Sequence, residues 1–384
     1  MPGHVPAPEA GLLTGVVRAD DLGPAAVVLL RHAPTGTTAA VVVDNVAAGP
    51  AIGGVRMAAD VTVEEVARLA RAMTLKNAMA GLPHGGAKAG IAADPAMPAT
   101  GKEAVIRWFA RAIADLRDYI VGPDMGTDER CMAWIHDEIG RAVGLPAVLG
   151  GIPLDTMGAT GYGLAVAADA LAERGVLELH GARVAVQGFG AVGTHAARFL
   201  AERGAVLVAV SDSRGAVENQ AGLDLDALLA WKAAGKPVGT FAGGDVVERD
   251  DLVATDCELL VPAARPDVVT SANVDRVKAK VVLEGANIPL TLDAERRLHD
   301  AGVLCLPDFV ANAGGVICAS VEHAGGTAAQ AFQAIADKVG TNVAAVLERS
   351  LGTPTLPREA AEVIAVERVR EAMALRRAFP GVTA

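Results

Sequence analysis

The chain is 384 residues long, 52% hydrophobic and 21% charged, enough to bury a large core and to divide into two domains. A net charge of −11 with no basic block lacks the electrostatic footprint of a nucleic-acid binder. Cys131, Cys257, Cys305 and Cys318 lie far apart with no C-x-x-C spacing, and MPGHVPAPEAGLL has no basic start followed by an apolar core, so a cytoplasmic protein without a structural metal or a membrane partner is expected.

Residues 1–12, rich in Pro and Ala, read as loose. PAAVVLLRH and TTAAVVVDN then read as two β-branched strands joined by APTG. Thr62 and Glu65 have capping-box spacing, and Val63, Val66, Ala67, Ala70, Met73 and Ala80 recur at helical intervals, which predicts a helix ending near Lys76 to Ala80. AGLPHGGAKAG follows and reads as a glycine-rich loop carrying Lys88. It is not a phosphate loop, which needs Gly before its lysine and Ser or Thr after it, whereas Lys88 lies between Ala87 and Ala89.

A helix is expected around 102–118, then the apolar YIVG and a second loop, PDMGT, with Asp124. LGGIPLDTMGATGYG, 149–163, reads as a hinge entering a helix. From about 182, ARVAVQ, VLVAVSD, CELLVP, KVVLE and VLCLP alternate with helical stretches, the pattern of a parallel, doubly wound sheet. Three helical stretches are expected after about 327. The fold class is therefore α/β in two domains: an α/β substrate domain over 1–150, joined by C-terminal helices of about 330–384, and a Rossmann-type dinucleotide-binding domain over 151–329.

QGFGAVGTHAARFLAERG places Gly188, Gly190 and Gly193 in G-x-G-x-x-G spacing around Ala191 and Val192, after a buried strand and opening a helix. Gly188 permits the tight turn, Gly190 the approach of a pyrophosphate, and Gly193 close packing of helix on strand. Asp212, 24 residues after Gly188 at the end of the next strand, suits the ribose hydroxyls and favours NAD; Arg214 leaves NADP open.

Hydride chemistry needs groups that orient a substrate and handle protons, and the first half offers Lys76, Lys88 and Asp124. Two lysines sharing a partly dry site repel, which lowers the pKa of at least one and suits it to act as a base while the other anchors a carboxylate. Solvated surface lysines are the alternative. Asp124 could instead be the N-cap of a helix from about 127.

GPAIGGVRM, MTLKNAMAGLPHGGAKAGI, VGPDMGT, GATGYG, VQGFGAVG, EGAN and PDFVANAGGV occur in that order. Together they make the chain resemble the glutamate/leucine/phenylalanine/valine dehydrogenase family over about residues 25–375. The resemblance implies that Lys88 activates the water attacking an imino intermediate and that Lys76 grips the substrate α-carboxylate. It implies further that Asp124 moves protons on and off the amino group, that Asn312 and the Gly54 carbonyl hold the amino-acid head, and that Thr160 and Asn287 line the cofactor side. The reaction implied is reversible oxidative deamination of an L-amino acid to a 2-oxo acid and ammonia with NAD or NADP, without a metal, in a homo-oligomer.

In the glutamate branch a lysine before the Gly-Gly pair and a serine after the NAGG motif bind the side-chain carboxylate; the matching positions here are Ile52 and Ala319. A buried carboxylate without partners costs several kcal/mol, so leucine, valine or phenylalanine is the favoured substrate. Val316 and Gly122 would complete the pocket, the small Gly122 leaving room for a bulky side chain. DMGTDERCMAWI and DLDALLAWK look more like the glutamate branch, and His84, if protonated, could stabilise an anionic side chain; it could also stack or bond a backbone carbonyl. Glutamate dehydrogenase is thus one alternative, and a non-catalytic NAD-binding or sensing protein another.

Overall fold

The computed structural model describes residues 17–376; the loose stretch expected over 1–12 lies outside them. The chain forms two compact units. The first takes the described residues up to Pro153, Glu322–Gly325 and the described residues from Ala365; the second takes Leu154–Val321 and Gly326–Ile364. The division expected at 150/151 therefore falls at Pro153/Leu154, and of the expected C-terminal addition to the first domain only the part from Ala365 lies in the first unit.

In the first unit β1 (Ala26–Arg31), β2 (Thr38–Asn45), β3 (Ala51–Met57), α1 (Val63–Met79), β4 (Gly86–Ala92), α2 (Ala99–Ala112), β5 (Tyr119–Pro123) and α3 (Glu129–Ile139) follow in chain order. The sheet order is β1-β2-β4-β3-β5, with β1 and β4 antiparallel to β2 and with β3 parallel to β4 and β5. Strand alternation sorts the residues. Val41, Val43, Ala87, Ala89 and Tyr119 face a core with Phe109 of α2 and Ile135 of α3, while Val42 meets Val66 and Ala70 of α1 on the other side. α1 lies mainly over β2 and β4.

Lys88 is therefore not in a loop. It sits in the middle of β4, paired with Val42 of β2. The glycines that suggested a turn serve close approach instead: a Cβ on Gly86 would lie 2.0 Å from the Thr74 amide, and one on Gly90 2.8 Å from Val61 and Val66 methyls. Only a strand lacking those side chains lets α1 lie so near it. α1 begins at Thr62, whose hydroxyl accepts from the Glu65 amide at 3.2 Å. The Glu65 carboxylate does not return to the cap but pairs with Arg56, so the expected capping box is half formed. α3 is capped by Asp128, which accepts from the Cys131 amide at 2.9 Å, and this removes the N-cap reading of Asp124. The helix expected at 102–118 is α2, beginning and ending earlier.

The second unit contains α4 (Leu154–Met157), α5 (Ala159–Glu173), β6 (Arg183–Gln187), α6 (Ala191–Ala201), β7 (Val206–Asp212), β8 (Gly215–Glu218), α7 (Leu225–Ala233), β9 (Asp245–Val247), β10 (Leu259–Pro262), β11 (Val281–Leu283), α8 (Leu292–Asp300), β12 (Leu304–Leu306), α9 (Asp308–Ala311), α10 (Gly314–His323), α11 (Ala328–Ser350) and α12 (Pro357–Leu375). The division from the first unit runs through the last turn of α10 and again through α12. The strand order is β12-β11-β10-β6-β7-β8-β9. The five expected strands are parallel, but β8 and β9 add an antiparallel edge, so the sheet is mixed. GAVE and DVV are too short to signal strands from sequence alone. Two helices, not three, follow residue 327 among the described residues. None of the described helices is long and apolar enough to cross a membrane.

The tightest test of the first sheet is Gly53, where a Cβ would lie 1.6 Å from the Ala87 carbonyl oxygen. Backbone must move to admit it, so Gly53→Ala should lower the unfolding free energy by ~3 kcal/mol or more. Chemical denaturation measures this, and a loss below ~1 kcal/mol would contradict the close β3–β4 approach.

Candidate active site

Period two along β3 and β4 aims Gly54, Arg56 and Lys88 to the sheet face that α1 covers only in part. Pro123, which ends β5, pairs with Val55, and Asp124 follows it directly. Gly54 makes room for this chain segment: a Cβ there would lie 2.6 Å from the Pro123 carbonyl oxygen and 2.8 Å from the Asp124 Cβ.

Three ionised groups then meet. Lys88 Nζ lies 3.0 Å from Asp124 Oδ2, and Arg56 Nε donates to the same oxygen at 3.0 Å. The other end of Arg56 reaches Glu65. Thr127 fixes the turn: its hydroxyl lies 3.0 Å from the Asp124 amide and 2.8 Å from the Val55 carbonyl. Burial pushes the Asp124 carboxyl up, but the Lys88 and Arg56 charges outweigh it, and with the Met125 amide they hold it below the ordinary range. Lys88 therefore meets an acid, Asp124, across one sheet face.

Of the other residues singled out in this unit, Lys76 leaves the last turn of α1. Ile52, 3% exposed, lies two residues before Gly54, and Gly122 pairs with Gly54 across β3 and β5. A Cβ on Gly122 would only touch Val143 at 3.6 Å, so packing does not require glycine there. His84 is buried and its Nδ1 lies 3.1 Å from the Pro50 carbonyl, so Nδ1 carries the hydrogen. Burial, partly offset by that carbonyl, together with the facing His323 holds the imidazole below its usual value, leaving it neutral at neutral pH. The two rings meet edge to face at 5.7 Å. The backbone-bonding reading of His84 is the one the geometry matches.

In the second unit the glycines after β6 have separate duties. Gly188 has φ +98, and a Cβ on it would lie 2.7 Å from Ala264. A Cβ on Gly193 would lie 2.0 Å from the Gly188 carbonyl oxygen. Gly190, the cap of α6, differs: a Cβ there would meet no protein atom within 4 Å, so packing does not explain it. Glycine there fits a loop that brings backbone against a pyrophosphate, with the Ala191, Val192 and Gly193 amides at the helix N-terminus. The residues fit a dinucleotide.

Asp212 ends β7. Its Oδ2 accepts from Lys232 Nζ at 2.6 Å and its Oδ1 from the Arg214 amide at 2.8 Å. Burial pushes Asp212 up, but Lys232 and the amides of Arg214 and Val238 hold it below the ordinary range. Thr160 lies in the first turn of α5 beside the start of α10, since a Cβ on Gly314 would lie 2.0 Å from the Ala159 carbonyl oxygen and one on Gly315 3.2 Å from Thr160 Oγ1. Asn312 Nδ2 lies 3.3 Å from the Gly285 and Ala286 carbonyls and from Asn287 Oδ1. Val316 and Ala319 stand one turn apart on α10. No group of His, Cys, Asp and Glu suited to a metal occurs among the described residues.

Two functional contacts escaped sequence reading. Arg56 is two residues from Gly54, so strand period alone would have placed it on the site's face. Lys232 gave no signal, because only the tertiary return of α7 brings it to Asp212.

A glycine turn shaped for a dinucleotide in one unit and an amine–carboxylate pair in the other define an NAD(P)-dependent dehydrogenase. Comparison with known proteins makes the class specific. The model of the Glutamate/Leucine/Phenylalanine/Valine dehydrogenase family matches residues 150–377, and that of the Glu/Leu/Phe/Val dehydrogenase dimerisation domain matches residues 30–141. The chain is 40% identical over 355 residues to a glutamate dehydrogenase of Aeropyrum pernix, covering 86% of this chain and 85% of that one. It is 41% identical over 295 residues to an NADP(+)-dependent glutamate dehydrogenase of Pyrobaculum calidifontis, covering 72% and 70%. Its fold is similar to that of a hetero-hexameric glutamate dehydrogenase from Thermus thermophilus in a Leu-bound form, with a TM-score of 0.82 and 33% identity over 93% of this chain and 91% of that one. The chain belongs to the glutamate/leucine/phenylalanine/valine dehydrogenase family and is an NAD(P)-dependent amino-acid dehydrogenase, an oxidoreductase acting on CH–NH2 donors.

The sign of the Asp124 contribution follows from its depressed pKa. A carboxylate with a folded pKa below its unfolded value adds stability above the unfolded value, and this is lost as pH falls through the folded one. Asp124→Asn should therefore cost on the order of 3 kcal/mol near pH 7, and the gap to the parent should narrow below pH ~4. Denaturation at several pH values measures it; a gap independent of pH would contradict an ionised Asp124.

Proposed function

We propose that the chain catalyses reversible, NADP-linked oxidative deamination of L-glutamate to 2-oxoglutarate and ammonia. The observation that carries the reaction type is the buried approach of Lys88 Nζ to Asp124 Oδ2 at 3.0 Å, a donor and an acceptor anchored on adjoining elements of one sheet. The bound dinucleotide supplies the hydride acceptor. Lys76 pairs with the substrate α-carboxylate. Asp124 accepts a proton from the amino group as the Cα hydrogen leaves, giving an imino acid. Lys88, once it has released its own proton to solvent, takes a proton from the water that forms the new C–O bond at the imino carbon. Asp124 returns a proton to the nitrogen and then takes the hydroxyl proton as the C=O bond forms, the C–N bond breaks and ammonia departs.

Glutamate is chosen over the apolar substrate expected from the sequence because the curated relatives, 40% and 41% identical, are glutamate dehydrogenases. One observation keeps the apolar reading as the second: Ile52 in the first unit and Ala319 in the second are each buried and uncharged, so neither supplies a partner for a side-chain carboxylate. The choice of NADP rests on Lys232, whose 2.6 Å contact neutralises Asp212, and on Arg214 two residues beyond it; an unpaired acid would repel a 2′-phosphate. A homo-oligomer working in the cytoplasm is the assembly we infer, supported by the match to a dimerisation domain and by four free thiols.

Absorbance of the reduced cofactor, followed with a panel of L-amino acids and both dinucleotides, measures all of this. Glutamate with NADP should give the highest kcat/KM, Lys88→Ala should lower turnover at least ~100-fold with dinucleotide binding kept, and Lys232→Ala should shift preference toward NAD. Leucine, valine or phenylalanine outrunning glutamate would establish the second reading, and no turnover with any amino acid would favour a binding protein.

A further inference from the structure

Behind the loop that carries Asn287 lies a buried ionic cluster that the proposed reaction does not use. Arg358, in the first turn of α12, donates through Nε to both Glu295 oxygens at 2.7 and 2.9 Å. Its Nη1 donates to Asp308 Oδ1 at 3.1 Å and its Nη2 to Glu284 Oε2 at 2.8 Å. One planar guanidinium thus joins three carboxylates from α8, from α9 and from the end of β11. Glu284 is wholly buried. Burial, opposed by Arg358, lifts its carboxyl well above the usual range, which explains how three acids share one cation.

The cluster is tied to the cofactor side at two points. Asp308 Oδ2 accepts from the Ile288 amide at 3.0 Å, and Asp308 also opens α9, its carbonyl accepting from the Asn312 amide at 2.8 Å. Ile288 has φ +48, a left-handed backbone that a β-branched residue adopts only when its surroundings impose it. Its side chain is 53% exposed, so burial does not impose it. Two backbone hydrogen bonds restrain it instead: its carbonyl accepts from the Asp267 amide at 3.0 Å and its amide donates to Asp308, and Arg358 fixes the other oxygen of that carboxylate. Asn287 is the residue directly before this strained turn, and Asn312 Nδ2 lies 3.3 Å from its Oδ1.

We propose that Arg358 is a positioning residue for dinucleotide binding: through Asp308 it holds Ile288 in a left-handed turn and so aims Asn287 and Asn312. A guanidinium beside three acids, one of them wholly buried, stabilises a fold no better than apolar packing would, but it fixes a carboxylate in direction, which apolar packing cannot. The inference rests on the dinucleotide reading of the second unit and not on the choice of amino acid.

Titration of reduced dinucleotide by fluorescence, on the full chain with no amino acid present, tests it together with thermal melting. Ile288→Gly relieves the strained φ and removes the imposed direction; it should leave the melting temperature at or above the parent's while weakening dinucleotide binding roughly tenfold. Arg358→Lys keeps the charge but loses the fork, and should weaken binding to a similar degree, less than Arg358→Met where that variant folds. Binding within about twofold of the parent in both Ile288→Gly and Arg358→Lys would overturn the proposal. Because no amino acid is present, an error in the assigned substrate leaves this readout unmoved, and the two failures are separable.

Discussion

One oxygen organises the first unit. Asp124 Oδ2 accepts from Lys88 and Arg56 at 3.0 Å each, and Arg56 in turn engages Glu65, so two cations and two acids balance in a largely buried place. Removing any one leaves an uncompensated charge, which is the costly state. The glycines around it follow from that demand: Gly54 admits the Asp124 backbone, while Gly86 and Gly90 let α1 lie against the strand that carries Lys88. A rigid central strand, not a mobile loop, then holds the amine, and rigidity is what proton transfer over a fixed short distance requires.

The second unit applies the same logic to a different ligand class. Asp212 ends the second parallel strand, and Lys232 from a later helix neutralises it, so under the proposed function cofactor choice would rest on that pair rather than on the strand-end acid alone. Arg358 does for the loop of residues 284–288 what Arg56 does for Asp124: it fixes the direction of a carboxylate that in turn fixes backbone. In both units a planar, five-donor cation is used where one carboxylate must serve two partners.

Much of this was legible in the sequence because it depends on local rules. β-Branched runs marked β1 and β2, short apolar runs between helical stretches marked the five parallel strands, and the spacing of Gly188, Gly190 and Gly193 marked the turn before α6. What failed did so for physical reasons. Glycine-rich 80–90 reads as a loop because glycine is a turn former, whereas here two of its glycines, Gly86 and Gly90, permit helix-on-strand contact, a tertiary cause with no local trace. β8 and β9 are too short to show a period. Glu65 matched a capping box, but a guanidinium from β3 outcompetes a backbone amide for its carboxylate. Ile52 and Ala319 pointed to an apolar substrate by the loss of two partners for a side-chain carboxylate; the glutamate we propose would need other groups to meet that carboxylate.

The central claim is that Lys88 and Asp124 act as one proton-handling unit, and a double-mutant cycle on turnover tests it most directly. With Lys88→Met, Asp124→Asn and the double variant measured under saturating cofactor, the account predicts that the double variant is about as slow as the slower single one. Rate losses that simply multiply would show two independent residues and contradict it.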